Sequence, residues 1–176
     1  MSKTIKKMTL AAMLIAMSVV IGIFCKSVLN FGAGLFRITF ENLPIILSGM
    51  LFGPIFGSLT GLASDLISYL LSGQVYPPNF IVTAGAVAVG AISGFVSKFV
   101  VKKRGAAQVI ASGSLAHAVG SMIIKPIGLF QFYGWAVLVR IPLYLLIAPI
   151  EILLLALLFR SSGFRRLIND VDRENK

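Results

Sequence analysis

Four cationic side chains, Lys26, Arg37, Lys125 and Arg140, stand apart from the other twelve Lys and Arg of this chain, each near the end of an apolar run. Arg binds carboxylates through paired hydrogen bonds, so a group of such residues suits an anion. Aromatic residues accompany them: Tyr76 in the stretch Gly73-Gln74-Val75-Tyr76-Pro77-Pro78-Asn79, and Phe130, Phe132, Tyr133 and Trp135 just ahead of Arg140. A cationic mouth over aromatic faces fits a ligand with carboxylates at one end and a flat ring at the other. The structural alternative is that each cation snorkels to lipid phosphates.

Ionisable groups within the apolar runs are few, and charge in hydrocarbon is costly, which makes each one a functional hypothesis. Asp65 faces a water-filled pocket or else pairs with polar groups of a neighbouring helix. Glu41 opens an apolar run and reads as a carboxylate stabilising a helix N-terminus. Glu151 follows Arg140 by eleven residues, about three turns deeper on the same face, and is either structural or a partner contact. His117, the single histidine, has Ser114 and Ser121 at helical spacing. A nucleophile and its base need convergent geometry from separate elements, so His117 reads as polar glue between helices rather than as part of an intramembrane hydrolase. No metal-ligand spacing and no Gly-Lys-Ser/Thr phosphate loop occur, so the chain implies no cofactor and no ATP hydrolysis of its own.

The elements that must position these groups are membrane helices. Of 176 residues, 57% are hydrophobic and only 12% charged, with a mean hydropathy of +0.95. A soluble domain of this size cannot cover its surface with so few polar groups, whereas lipid demands helices that satisfy their own backbones. Charge-free runs such as Met8 to Cys25, Phe80 to Ser97 and Gly105 to Ile124 approach the roughly 20 residues that span about 30 Å of hydrocarbon. The stretch from Ile38 to Leu71 is too long for one span and is split by Phe52-Gly53-Pro54, where proline enforces a turn. Lys3, Lys6 and Lys7, then Lys98 to Arg104, then Arg160 to Lys176, form three basic clusters. The positive-inside rule puts all three in the cytoplasm and requires an even number of crossings.

The predicted fold is therefore an all-α integral membrane protein of one domain, residues 1 to 176. It has six spans, roughly 6–25, 40–53, 55–72, 80–101, 106–125 and 136–159, with both termini cytoplasmic. Three connections, 26–39, 73–79 and about 126–135, then face outside with the pocket. Gly49, Gly53, Gly57 and Gly61, with Gly90 and Gly94, repeat every four residues and predict close helix packing. Ala12 and Ala16 form another small-residue pair, facing either the chain itself or another protein. The net charge of +10 is accounted for by orientation signals, which excludes a nucleic-acid partner and leaves the lipid bilayer. Cys25, being alone, forms no internal disulfide. Bulky Ile23 and Phe24 before it argue against lipoprotein cleavage, so the first span is expected to be kept.

The chain resembles the substrate-binding S component of energy-coupling factor (ECF) vitamin transporters, most closely the folate-specific branch. The resemblance is carried by the basic start running into Thr9-Leu10-Ala11-Ala12-Met13-Leu14-Ile15-Ala16, by Arg37-Ile38-Thr39-Phe40-Glu41-Asn42-Leu43-Pro44, and by Phe52-Gly53-Pro54-Ile55-Phe56-Gly57. Asp65-Leu66, Tyr76-Pro77-Pro78-Asn79, Phe132-Tyr133-Gly134-Trp135 and Arg140-Ile141-Pro142 complete it. It implies a bacterial cell-membrane subunit that captures folate or a reduced folate from outside and performs no chemistry. Transport would need a membrane T component and two cytoplasmic ATPases, with Ala12 and Ala16 docking the T component. For a folate, Arg37, Lys125 and Arg140 would meet charged or carbonyl groups. Tyr76, Phe132, Tyr133, Trp135 and Tyr144 would meet apolar faces, and Asn79 or Asp65 the pterin edge. A sister S component for pantothenate, riboflavin or thiamine would keep the fold; an intramembrane enzyme would need His117.

Overall fold

The computed structural model describes residues 3–31, 36–72, 78–166 and 168. It is nearly all helical. Helix α1 (Lys3–Val28) leads into a short antiparallel hairpin, β1 (Asn30–Phe31) with β2 (Phe36–Arg37), in register Asn30 to Arg37 and Phe31 to Phe36. There follow α2 (Asn42–Phe52), α3 (Pro54–Leu71) and α4 (Phe80–Phe95), the last prolonged by a π turn over Val96–Val100. The remainder is one helical run bent at Gly134: α5 (Ala106–Ala116), a π segment (His117–Ile124), α6 (Lys125–Tyr133), a 3₁₀ segment (Gly134–Val139) and α7 (Arg140–Arg160).

The predicted break at Gly53-Pro54 is present. Gly53 has φ 94°, a conformation that suits glycine, and Pro54 opens α3, where its missing donor is harmless. Helix α2 has 11 residues, about 16 Å at 1.5 Å per residue, which is half of a bilayer core. Every residue from Pro44 to Leu51 is buried, as an evenly apolar helix surrounded by others should be. Among the described residues, the apolar helical stretches long enough to cross a membrane are Ile5–Val28, Pro54–Leu71, Phe80–Val100 and Ala106–Arg160.

One expected connection is not a loop. Residues 126–135 were predicted to leave the membrane, yet the helix continues to Tyr133 before the turn at Gly134. Pro126 is the reason the sequence misleads. It lacks a donor, but the preceding π segment widens the helix, with the Lys125 N–H bonded to Gly120 O, and Pro126 then occupies the first turn of α6. Such local π adjustment is how membrane helices absorb proline.

The glycine repeat works as predicted, within the chain. A side chain added at Gly49 or Gly57 would collide with the Gly90 carbonyl, one at Gly61 with that of Ala86, and one at Gly94 with Pro54. Helices α2, α3 and α4 thus meet backbone to backbone. Ser48 and Thr60 hydroxyls join α2 to α3 across 2.7 Å. The core around them is Leu14, Ile45, Ile46, Met50, Val89, Val109, Leu155 and Phe159. Outside it, Met13, Met17, Val20, Phe24, Ile55, Leu70, Leu145, Leu146 and Leu153 are exposed. An apolar interior inside an apolar exterior is the surface that lipid solvates.

Candidate ligand-binding site

Helices α1 and α3, the start of α2 and one residue of α4 line a small polar cavity that is partly open. Ser18, Glu41, Ser64, Asp65 and Ser68 supply its polar wall, and Ile45 and Ala86 its apolar one. It has space for about one water molecule, so a ligand would meet it as a polar contact point in the wall rather than fill it. Ser64 and Ser68 sit one turn apart on α3, and Asp65 beside them accepts a hydrogen bond from Thr83 Oγ1 of α4 at 2.6 Å. Asp65 lines the cavity and is tied to a neighbouring helix.

Glu41 does not play its expected part. Its side chain makes no capping hydrogen bond to α2; it turns instead toward the cavity and toward Lys125 Nζ, 3.4 Å from Oε1. Its backbone is held on both sides, the carbonyl by Ser18 Oγ at 2.7 Å and the N–H by Thr39 Oγ1 at 3.3 Å. Carboxylates favour helix N-termini, but a buried ammonium is the stronger attraction in a low dielectric.

Lys125 is only 4% exposed. Besides Glu41, its ammonium donates to Asn42 Oδ1 at 2.9 Å, and Asn42 in turn donates to Ser121 Oγ at 3.4 Å. Sequence spacing placed Lys125 at an outer mouth; the π segment and α6 place it in the interior, among groups from α2. Asn79 is likewise engaged within the fold. Its Oδ1 accepts from the N–H groups of Ile81 and Val82 at the start of α4, and its Nδ2 donates to Gly128 O.

A second group forms at the bend between α6 and α7. The Arg140 guanidinium lies over the Tyr133 ring, 5.0 Å from its centroid, and both Arg140 and Tyr144, one turn on, are buried. Phe132 is half-buried, whereas Trp135 is exposed with its ring edge-to-face on Phe130 at 5.4 Å. Helix α7 also packs against β2, which carries the Arg37 backbone. The Arg37 side chain and Tyr76 lie outside the described residues.

His117 is not poised for hydrolysis. Its Nε2 contacts Glu151 Oε2 of α7 at 2.7 Å with both side chains buried, Ser114 is exposed, and Ser121 is engaged by Asn42. Ala12 and Ala16 lie on the exposed face of α1, with Ala11 and Leu14 turned inward. Among the described residues no group of His, Cys, Asp and Glu could hold a metal ion.

The site residues that spacing missed are Glu41 as a cavity group, Asn42, Ser18, Ser64 and Ser68. One signal was present: Ser64 and Ser68, at i and i+4 around Asp65, put three polar groups side by side on an apolar helix.

Comparison with curated protein sequences finds no match. Among solved structures, the fold is similar to the crystal structure of FolT bound with folic acid, with a TM-score of 0.68 and 25% identity. The match covers 89% of this chain and 94% of the other. The family model described as "ECF transporter, substrate-specific component" matches residues 6–170, nearly the whole sequence, so the chain belongs to that family of membrane transport proteins.

Proposed function

We propose that the protein is the folate-capturing S component of an ECF-type importer in a bacterial cell membrane. The observation that carries this reading is the likeness to folic-acid-bound FolT over 94% of that chain. The chain then crosses the membrane six times with both termini in the cytoplasm, α2 being a short crossing packed inside the others. The polar cavity faces outward and meets the edge of the ligand's ring, with Asp65 beside it. Arg140 and Arg37 meet the carboxylate tail, and Tyr76, Phe132, Tyr133, Trp135 and Tyr144 supply apolar faces. A T component and two ATPases provide the energy, and the T component docks on α1 at Ala12 and Ala16. That both alanines are exposed beside Met13 and Met17 supports this last assignment.

Calorimetric titration of the detergent-purified protein tests the reading, with emission of Trp135, the single tryptophan, as a second readout. Saturable binding of folic acid or a reduced folate, with none of thiamine, riboflavin or pantothenate, is expected. Binding of one of those three instead of folates would keep the family and overturn the ligand.

A further inference from the structure

We propose that Glu41 and Ser64 form the floor that recognises the donor-bearing edge of the ligand's ring, and that Lys125 is a positioning residue for Glu41 rather than a clamp on ligand carboxylates. The proposal rests on the folate reading. It begins from where the Lys125 ammonium points: Asn42 Oδ1 at 2.9 Å and Glu41 Oε1 at 3.4 Å, both within the protein, while Lys125 is absent from the cavity wall. An ammonium has three donors, and two directions are occupied by partners from α2 and the residue before it.

Glu41, by contrast, does line the cavity. Lys125 neutralises one oxygen, and the other lies toward Gly22, where an added Cβ would come within 3.0 Å of Oε2. With its backbone also held by Ser18 and Thr39, the carboxylate is pre-positioned. Such positioning keeps the ordering cost out of the binding step.

Ser64 provides the independent observation. Ser64 is 2% exposed and lines the same cavity, and its Oγ has no hydrogen-bond partner among the described residues. Helical serines commonly bond back to the carbonyl four residues earlier, and buried hydroxyls almost always find a partner. A desolvated hydroxyl facing a cavity is what a ligand's polar edge would satisfy.

The chemistry of the wall decides which edge. Glu41 and Asp65 offer acceptors beside three serine hydroxyls, and none of the described lining residues is Lys or Arg. Lys26, on α1, donates to Ser68 O at 3.4 Å and to Ser72 Oγ at 3.1 Å. An acceptor-rich pocket repels carboxylates and matches adjacent N–H groups, such as the amino and ring N–H of a 2-amino-4-oxopyrimidine ring, which a carboxylate receives in parallel. The donor edge of the ring therefore meets this wall, and the carboxylate tail points away from it.

The test compares folic acid, pteroic acid, which lacks the glutamate tail, and 2-desaminofolic acid on the purified full chain and its Lys125→Met, Glu41→Gln and Ser64→Ala variants. Lys125→Met and Glu41→Gln should each weaken folic and pteroic acids by one common factor, about tenfold to a hundredfold for a charge-assisted bond. The double variant should be little worse than either, because the two act as a unit. Ser64→Ala, which removes only an unpartnered hydroxyl and so leaves folding intact, should narrow the preference for folic acid over the 2-desamino analogue. A Lys125→Met protein that loses folic acid but keeps pteroic acid would make Lys125 a tail clamp and overturn the proposal. So would unchanged discrimination in both Ser64→Ala and Glu41→Gln. If the unsubstituted protein binds no pteroyl compound, the folate reading fails first and this one with it.

Discussion

The molecule holds two pairs of ionisable side chains only two turns of helix apart, and they are built differently. His117 and Glu151 join the π segment to α7 at 2.7 Å, with side-chain exposures of 2% and 0%. Lys125 and Glu41 join α6 to the start of α2 at 3.4 Å, with 5% and 17%. The first pair is closed off by protein, with His117 Nδ1 and Glu151 Oε1 lacking a hydrogen-bond partner among the described residues. The second is one edge of a network that includes Asn42, Ser121, Ser18 and Thr39 and borders a cavity. A buried pair surrounded only by protein holds helices together; a pair that shares a carboxylate with a cavity can present that carboxylate to something else. Proximity in sequence, His117 opening the π segment and Lys125 following it, does not give the two pairs the same work.

The largest effect should come from breaking the closed pair on one side. Glu151→Ala leaves a buried imidazole without its counter-group and should cost about 3–5 kcal/mol, seen as a steep fall in the thermal midpoint in detergent. Replacing both partners with apolar residues, His117→Phe with Glu151→Leu, should recover most of that loss and leave folic acid binding intact, because matched apolar packing often equals a buried pair. Loss of binding with the fold retained in the double variant would mean that this pair, too, acts in ligand capture.

A smaller effect on stability is expected at the open pair. Glu41→Ala should lower the midpoint by less than half as much as Glu151→Ala, since Glu41 is partly exposed, so that water can take the place of its carboxylate, and Asn42 still accepts from Lys125. An equal loss at both sites would erase the distinction between a closed tie and an open one.

Much of this was legible in the sequence, and the failures have physical causes. Composition and charge-free runs specified helices in lipid, Phe52-Gly53-Pro54 specified the turn, and the four-residue glycine repeat specified the close meeting of α2, α3 and α4. These are local rules: a missing donor, a missing Cβ, a length against a bilayer. The positions of Lys125 and Glu41 were not legible, because both depend on how helices distant in sequence meet. Pro126 and Gly128 looked like loop residues, and only the π segment ahead of them carries the helix through, moving Lys125 from an expected rim to the interior. Glu41 looked like a cap because nothing local announces an ammonium from a residue 84 positions away. Asp65, which lines the cavity, stands out in the sequence because an isolated carboxylate in an apolar run is conspicuous, whereas serines among apolar residues are ordinary and Ser64 does not.

The smallest effect on the isolated protein should come from the face that neither pair touches. Ala12 and Ala16 lie on the exposed side of α1, while the inward side of that helix is occupied by Ala11, Leu14, Ser18 and Val19. Ala12→Trp with Ala16→Trp adds apolar bulk where lipid would accept it, so the midpoint and the folic acid affinity should both stay within about 0.5 kcal/mol of the unsubstituted protein. Uptake of labelled folic acid by cells that also supply the T component and the ATPases should nevertheless fall to background, since small residues matter where another helix must approach closely. The variant thus separates a surface used between proteins from interior groups used within one. Normal uptake would show that the T component docks elsewhere, and reduced binding by the isolated protein would show that the outer face of α1 communicates with the cavity through Ser18 and Glu41.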